Sequence, residues 1–177
     1  MLVSEQRNET MKIIWSLVLV ASLCLLGCDT NEDGGVDDRV RTIDFELLDL
    51  NGNPFRLSTT QGDVVVVNFF STTCPACQAE AQDLNDLYLA NRTKGLRVIG
   101  IALRPQSVAQ VEAFRDTYDI PFTILLDDNV VSQAYAVSGT PDAYFIDREG
   151  YTVERVQGFK SRSLLDAITQ PLLDTAQ

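Results

Sequence analysis

Apolar residues in this chain gather in short unbroken runs, separated by longer stretches where they recur at helical spacing. Val64–Phe70 is apolar at every position but Asn68 and reads as a strand buried on both faces. Leu96–Leu103 repeats the pattern, and Phe122–Leu126 gives a shorter version of it. Between these runs Pro75–Asn91 places Ala79, Leu84, Leu87 and Tyr88 mostly on one helical face, and Val108–Tyr118 reads as the next helix. A further helix is expected near Val130–Ala136. Ala143–Asp147 and Thr152–Gln157 are strands hinged at Arg148-Glu149-Gly150, and Ser161–Ile168 closes as a helix capped by Ser161 or Ser163. At the front, Thr42–Leu48 and Pro54–Leu57 flank Asn51-Gly52, a tight-turn dipeptide that predicts a hairpin. No internal repeat is present. Strands alternating with helices, then a last hairpin, predict an α/β fold: a three-layer α/β/α sandwich around a mixed sheet.

The first residues follow another rule. Lys12 precedes the apolar run Ile13–Leu26, which falls short of the ~18 apolar residues a spanning helix needs. A basic flank, a short apolar run and a small residue make residues 1–27 a secretory signal, with Met11 as an alternative start. Leu25-Leu26-Gly27-Cys28 resembles the bacterial lipobox, although Leu26 is bulkier than that motif usually allows. The resemblance implies cleavage before Cys28 and lipid on it; the competing reading is an uncleaved membrane anchor. Cys24 would leave with the signal. Residues 28–39 are acidic, contain Gly34-Gly35 and read as a flexible tether to a domain spanning 40–177. Asp29-x-Asn31-x-Asp33-Gly34 matches half of a calcium loop. Its twelfth position is Val40 where a bidentate Glu is required, so solvated tether is the better reading.

Charge narrows the function. With 14 Lys and Arg against 25 Asp and Glu, the net charge is −11. Loss of the signal leaves it unchanged, because Glu5 and Glu9 balance Arg7 and Lys12. So acidic a chain is a poor partner for nucleic acid, whose phosphates demand Lys and Arg. No basic cluster follows the signal, so membrane contact would come through lipid on Cys28.

Cys74-Pro75-Ala76-Cys77 sits where the first long strand hands over to a helix. The first thiol is thereby placed at a helix N-terminus, where unpaired N–H groups and the helix dipole favour a thiolate. The second lies one turn on, within reach of a disulfide. Half of a zinc site is the competing reading, but zinc needs four ligands and the chain has no His and no second such motif. No metal is therefore expected. A loop this small stabilises little against unfolding, so a redox pair fits an exported chain better than a structural staple.

Taken together, Val66-Val67-Asn68-Phe69-Phe70, Cys74-Pro75-Ala76-Cys77, Glu80, Gly139-Thr140-Pro141 and Tyr144-Phe145-Ile146-Asp147-Arg148-Glu149-Gly150 resemble the thioredoxin superfamily. The resemblance runs from about Val40 to Leu173 and is to its membrane-tethered TlpA/ResA-like thiol–disulfide oxidoreductases. It implies a thioredoxin-like sandwich with an N-terminal hairpin and a central strand–helix insertion at Phe122–Ala136. It assigns Cys74 as nucleophile, Cys77 as resolving thiol, and the two as a redox disulfide. Thr140-Pro141 corresponds to a cis-proline that presents backbone to substrate; an ordinary trans turn is the competing reading. Glu80 corresponds to an acid able to take the resolving thiol's proton, against the alternative of a solvated helix charge. Asn68 stands where minimal thioredoxins carry a buried Asp, which leaves Glu80 as the main base. Two departures are Thr73, where an aromatic residue is usual, and proline placed first between the cysteines.

The resemblance further implies no cofactor, a protein disulfide substrate, and an upstream thiol donor that is a membrane protein. The setting would be the periplasm or cell exterior, with oxidised apocytochrome c or copper-site assembly proteins as implied substrates. A peroxiredoxin-like peroxidase is one alternative, although Val67 and Ser71 stand where its loop wants Pro and Thr. A copper metallochaperone using two thiolates is the other, although carriers of this fold add a His. Asp142 and Glu80 near the thiolate would destabilise it and favour a reductant.

Overall fold

The computed structural model describes residues 39–103 and 106–175. The signal, the tether and Cys28 lie outside the described residues. Strand β4 (Val64–Phe70) is buried at every position and forms the spine. On one side it pairs in parallel with β5 (Leu96–Ala102), which pairs in parallel with β6 (Thr123–Leu126). On the other it pairs antiparallel with β7 (Asp142–Ile146), followed by antiparallel β8 (Tyr151–Gln157). The hairpin of β2 (Glu46–Asp49) and β3 (Pro54–Arg56) extends the β6 edge, and β1 (Val40–Arg41) lies beyond β8. The described strands thus form one mixed sheet in the order β1-β8-β7-β4-β5-β6-β2-β3.

Connection rules then place the helices. β4–α1–β5 and β5–α2–β6 both step the same way across parallel strands, so right-handed crossovers put both helices on one face. Alternate β4 residues decide what each face buries. Val64 and Val66 pack with Leu84 and Leu87 of α1 (Pro75–Asn91) and with Leu165 and Leu173 of α4 (Arg162–Asp174). Phe70, further along the same face, packs with Val111 and Phe114 of α2 (Val108–Thr117). Val65, Val67 and Phe69 pack on the opposite side with Leu57, Val131 and Tyr135. That layer is thin: one 3-10 turn (Leu57–Thr60) and α3, a helix of only five residues (Val130–Ala134). The three-layer α/β/α sandwich stands, with three helices on one face and one on the other.

Some boundaries differ from those the sequence suggests. Thr42–Leu48 is not one strand: only Glu46–Asp49 enters the hairpin, residues 42–45 are irregular, and the strand pairing before them is that of Val40–Arg41 with β8 at the far edge. The turn itself forms as expected, with Gly52 at φ +82° and Asp49 accepting the Asn51 and Asn53 N–H groups. Helix α4 passes Ile168 and runs through Pro171 to Asp174, because Leu173 still has core to cover.

Candidate active site

Strand β4 ends at Phe70, a turn of Ser71–Thr73 follows, and Cys74 is the cap of α1. Its extended backbone (φ −83°, ψ 115°) lets Sγ accept the Cys77 N–H at 3.1 Å, satisfying one of the helix's orphan donors. Pro75 opens the helix at a position where a missing N–H costs nothing. Cys74 and Cys77 are joined in a disulfide with Cα atoms 5.2 Å apart. Access to the two sulfurs is unequal: Cys74 is half-buried and Cys77 is buried. A partner can reach the first; the second is reached through the first.

Facing the disulfide is the loop that enters β7. The Thr140-Pro141 peptide is cis, and the Thr140 carbonyl oxygen lies 3.4 Å from Cys74 Sγ. Pro141 is buried and Thr140 half-buried. An open groove runs beside them, walled by Thr72, Thr73, Gln106, Gln110, Val137 and Gly139. The described residues of its walls carry no charge. Gln106 Oε1 braces the turn by accepting the Thr72 N–H at 2.7 Å.

Glu80 is not the solvated helix charge that was its alternative reading. It is fully buried, on the same stripe of α1 as Cys77, Ala81 and Leu84. Its Oε2 accepts the Lys160 backbone N–H at 3.0 Å and faces the Lys160 Nζ at 3.2 Å. Its Oε1 is buried and meets no described donor at strict hydrogen-bond geometry; the same holds for Asn68 Oδ1, although the Asn68 side chain lies close enough to the carboxylate to favour its charged form. Burial pushes the Glu80 carboxyl above the usual carboxylate range, opposed first by the Lys160 charge and then by the Lys160 backbone N–H. Burial pushes Lys160 down, with Glu80 opposing. Lys160 is also fully buried; its Nζ donates to the Gly158 carbonyl at 2.8 Å, and the Gly158 N–H donates to the Pro141 carbonyl at 2.7 Å.

Sequence reasoning missed Lys160. It stands eighty residues from Glu80, directly before the Ser161 cap, where a lysine reads as surface. The environment of Asp142 also differs from the expectation of a lone like charge. Asp142 is fully buried, but Arg155 clamps it through Nε at 3.1 Å and Nη2 at 2.7 Å, and Gln157 adds a longer contact. Each carboxylate invoked against the thiolate therefore carries its own cation. Among the described residues no group of three or more His, Cys, Asp or Glu comes together to hold a metal, and no helix is long and apolar enough to cross a membrane.

The AhpC/TSA family model matches residues 39–155, about two thirds of the chain. The chain belongs to the AhpC/TSA family. Within AhpC/TSA, its relatives are specific about chemistry. It is 31% identical over 149 residues to the thiol-disulfide oxidoreductase ResA of Oceanobacillus iheyensis, covering 80% of this chain and 77% of that one. The ResA of Bacillus cereus is 29% identical over 129 residues, 72% of this chain and 74% of its own. Among solved structures, a secreted Mycobacterium tuberculosis disulfide oxidoreductase homologous to DsbE of E. coli is 30% identical, with a TM-score of 0.67 over 72% of this chain and 96% of that one. A thioredoxin family thiol:disulfide interchange protein from Chlorobium tepidum reaches a TM-score of 0.71 over 76% and 97% at 23% identity, a likeness of fold. This AhpC/TSA member is a thiol–disulfide oxidoreductase of the ResA/DsbE type with a thioredoxin-like fold.

Proposed function

We propose that the chain is an exported, lipid-anchored enzyme that reduces disulfides in exported protein substrates through Cys74 and Cys77. The observation that carries this reading is the disulfide itself, held at the N-terminus of α1 against the Thr140 carbonyl. In the reduced enzyme the Cys74 thiolate attacks a substrate disulfide. One substrate sulfur leaves as thiolate, and a Cys74–substrate mixed disulfide forms. Cys77 then loses its proton to Glu80, attacks Cys74 Sγ and expels the second substrate thiolate. Two electrons pass to the substrate and the Cys74–Cys77 bond reforms. Thr140 and Pro141 present backbone to the substrate chain beside Cys74. Recharging takes a thiol donor, for which a membrane protein is the reading that suits an enzyme held through Cys28. Apocytochrome c and copper-site assembly proteins are the substrate classes proposed, on the likeness to ResA alone.

The support for a reducing direction is narrower than sequence alone suggests, because Asp142 and Glu80 are both ion-paired. What remains is a strongly acidic chain and a Cys74 sulfur that, among the described residues, meets one N–H and one carbonyl oxygen and no cation.

A trapping experiment tests the reading. Cys77→Ala should accumulate mixed disulfides through Cys74 in cells, identifying the substrate, and Cys74→Ser should accumulate none and lose exchange activity. A Cys74→Ser protein that reduces a model disulfide at the wild-type rate would refute the nucleophile assignment. Mass spectrometry of the mature protein should find lipid on Cys28; an intact Met1 or Met11 terminus would remove the anchor.

A further inference from the structure

We infer that Lys160 is a positioning residue for the resolving half of the exchange, holding Glu80 as the anion that accepts the Cys77 proton. The inference rests on the disulfide reading above and adds a residue that neither the motif nor the resemblance names.

Four observations converge on it. Glu80 and Lys160 are both fully buried and face each other at 3.2 Å. Lys160 supplies its backbone N–H to the same Oε2, so a single residue occupies one oxygen of the carboxylate by two donors. The other oxygen, Oε1, is buried and no described donor reaches it at strict hydrogen-bond geometry, although the Asn68 side chain lies close enough to the carboxylate to favour its charged form; a proton-accepting oxygen this loosely held is what native interiors avoid unless the atom has work to do. Finally, Cys77 lies three residues before Glu80 on the same buried stripe, the spacing at which helical side chains are neighbours. A base that must take a proton from Cys77 needs one free oxygen and a negative charge. Lys160 leaves the first and sustains the second.

The surroundings contain no substitute. The β4 side chain beside Glu80 is Asn68, which carries no charge. From β7 the nearest charge is Asp142, which acts on Lys160 and is itself paired with Arg155 of β8. On α1 the next acid, Asp83, accepts the Arg162 backbone N–H of α4, and Arg162 pairs with Asp166. Without Lys160, no other ion pair among the described residues reaches Glu80, and a buried carboxyl lacking a counter-charge takes up a proton. It then has nothing with which to receive another. Lys160 is held in place by the Gly158 carbonyl, and Gly158 by the Pro141 carbonyl, so the counter-charge is anchored to the loop at which substrate docks.

The test is stopped-flow reaction of the reduced protein with a chromogenic aryl disulfide. Attack by Cys74 appears as a first phase that depends on reagent concentration, and resolution by Cys77 as a second that does not. In wild type the second phase should hold its rate from about pH 6 to pH 8. In Lys160→Met it should be about tenfold or more slower near pH 7 and rise with pH as Glu80 ionises, while the first phase stays within about twofold. Glu80→Gln, alone or with Lys160→Met, should be slow at every pH. A Lys160→Met second phase that keeps the wild-type profile, or that slows equally at all pH, would overturn the inference and leave Lys160 a structural clip. If Lys160→Met does not fold, infrared spectra of the wild type decide. The band of a protonated buried carboxyl, assigned by its loss in Glu80→Gln, should be absent near pH 7, and its presence there overturns the inference. A wild type with no second phase would refute the disulfide reading itself, and the inference with it.

Discussion

Glu80 and Lys160 make the interior more costly than it need be. Burial raises the carboxyl and lowers the ammonium, so each disfavours its own charged form. The signs follow from linkage. A raised carboxyl contributes stability below the ordinary carboxylate range and loses it as pH rises through the folded value. A lowered lysine contributes stability above the ordinary lysine range and loses it as pH falls through the folded value. Near neutrality the pair lies in the costly window of both. Replacing it with the neutral double variant Glu80→Gln/Lys160→Met should leave stability unchanged or raise it by up to about 4 kcal/mol, whereas Lys160→Met alone should lose on the order of 3 kcal/mol. Urea unfolding checks both; a double variant weaker than the single would mean that the pair serves the fold. Asp142 behaves differently, since its partner Arg155 is about a third exposed. Asp142→Asn should cost roughly 1–3 kcal/mol by stranding that guanidinium, and change the rate of Cys74 attack little.

At the scale of elements, the strands were the easiest part to read. β4 and the part of β5 from Val98 to Ala102 are legible because both faces are covered, which forces a nearly unbroken apolar run. The Cys74–Cys77 pairing and the cis Thr140-Pro141 peptide are legible for a related reason: each sits in a short local motif. β1 was not, because two exposed residues at a sheet edge need no pattern; what holds them is backbone pairing to Tyr151 and Thr152, set by the whole fold. Lys160 was illegible for the same kind of reason, since its partner is remote in sequence. Helix α4 shows tertiary packing overriding a local signal. Pro171 should end a helix, yet Leu173 and the core beneath it keep the turn going. Pro171→Ala restores one helical N–H and should raise stability by roughly 1–3 kcal/mol in thermal unfolding. No change, or a loss, would show that the proline fits without cost. In α2 the Ser107–Gln110 capping box satisfies donors reciprocally, and Ser107→Ala should cost about 1 kcal/mol by the same measurement.

For the molecule as a whole, charge and direction of electron flow meet. A chain at −11 raises the work of forming a thiolate anywhere on it, and among the described residues no cation contacts Cys74 to offset that. The Cys74/Cys77 couple should therefore lie well below the roughly −120 mV of a dedicated oxidase when equilibrated with a glutathione or dithiothreitol buffer. The only Trp in the sequence is Trp15, within the expected signal, so thiol labelling is the appropriate readout. A potential near the oxidase value would reverse the proposed direction. One further consequence lies in where the backbone enters the sheet. β1 pairs with the Tyr151 end of β8, beside Ile146 and the first residues of β4. Cys74 lies beyond the other end of β4, past the Ser71–Thr73 turn, and the seven-residue strand between is about 20 Å long. A body gripped at one pole works at the other. Val40 and Arg41 thus enter the sheet at the pole remote from the sulfurs. Under the proposed anchoring through Cys28, the anchor would govern how often Cys74 meets a partner, through the local concentration it enforces, and leave to the groove beside Thr140 the choice of which partner is kept.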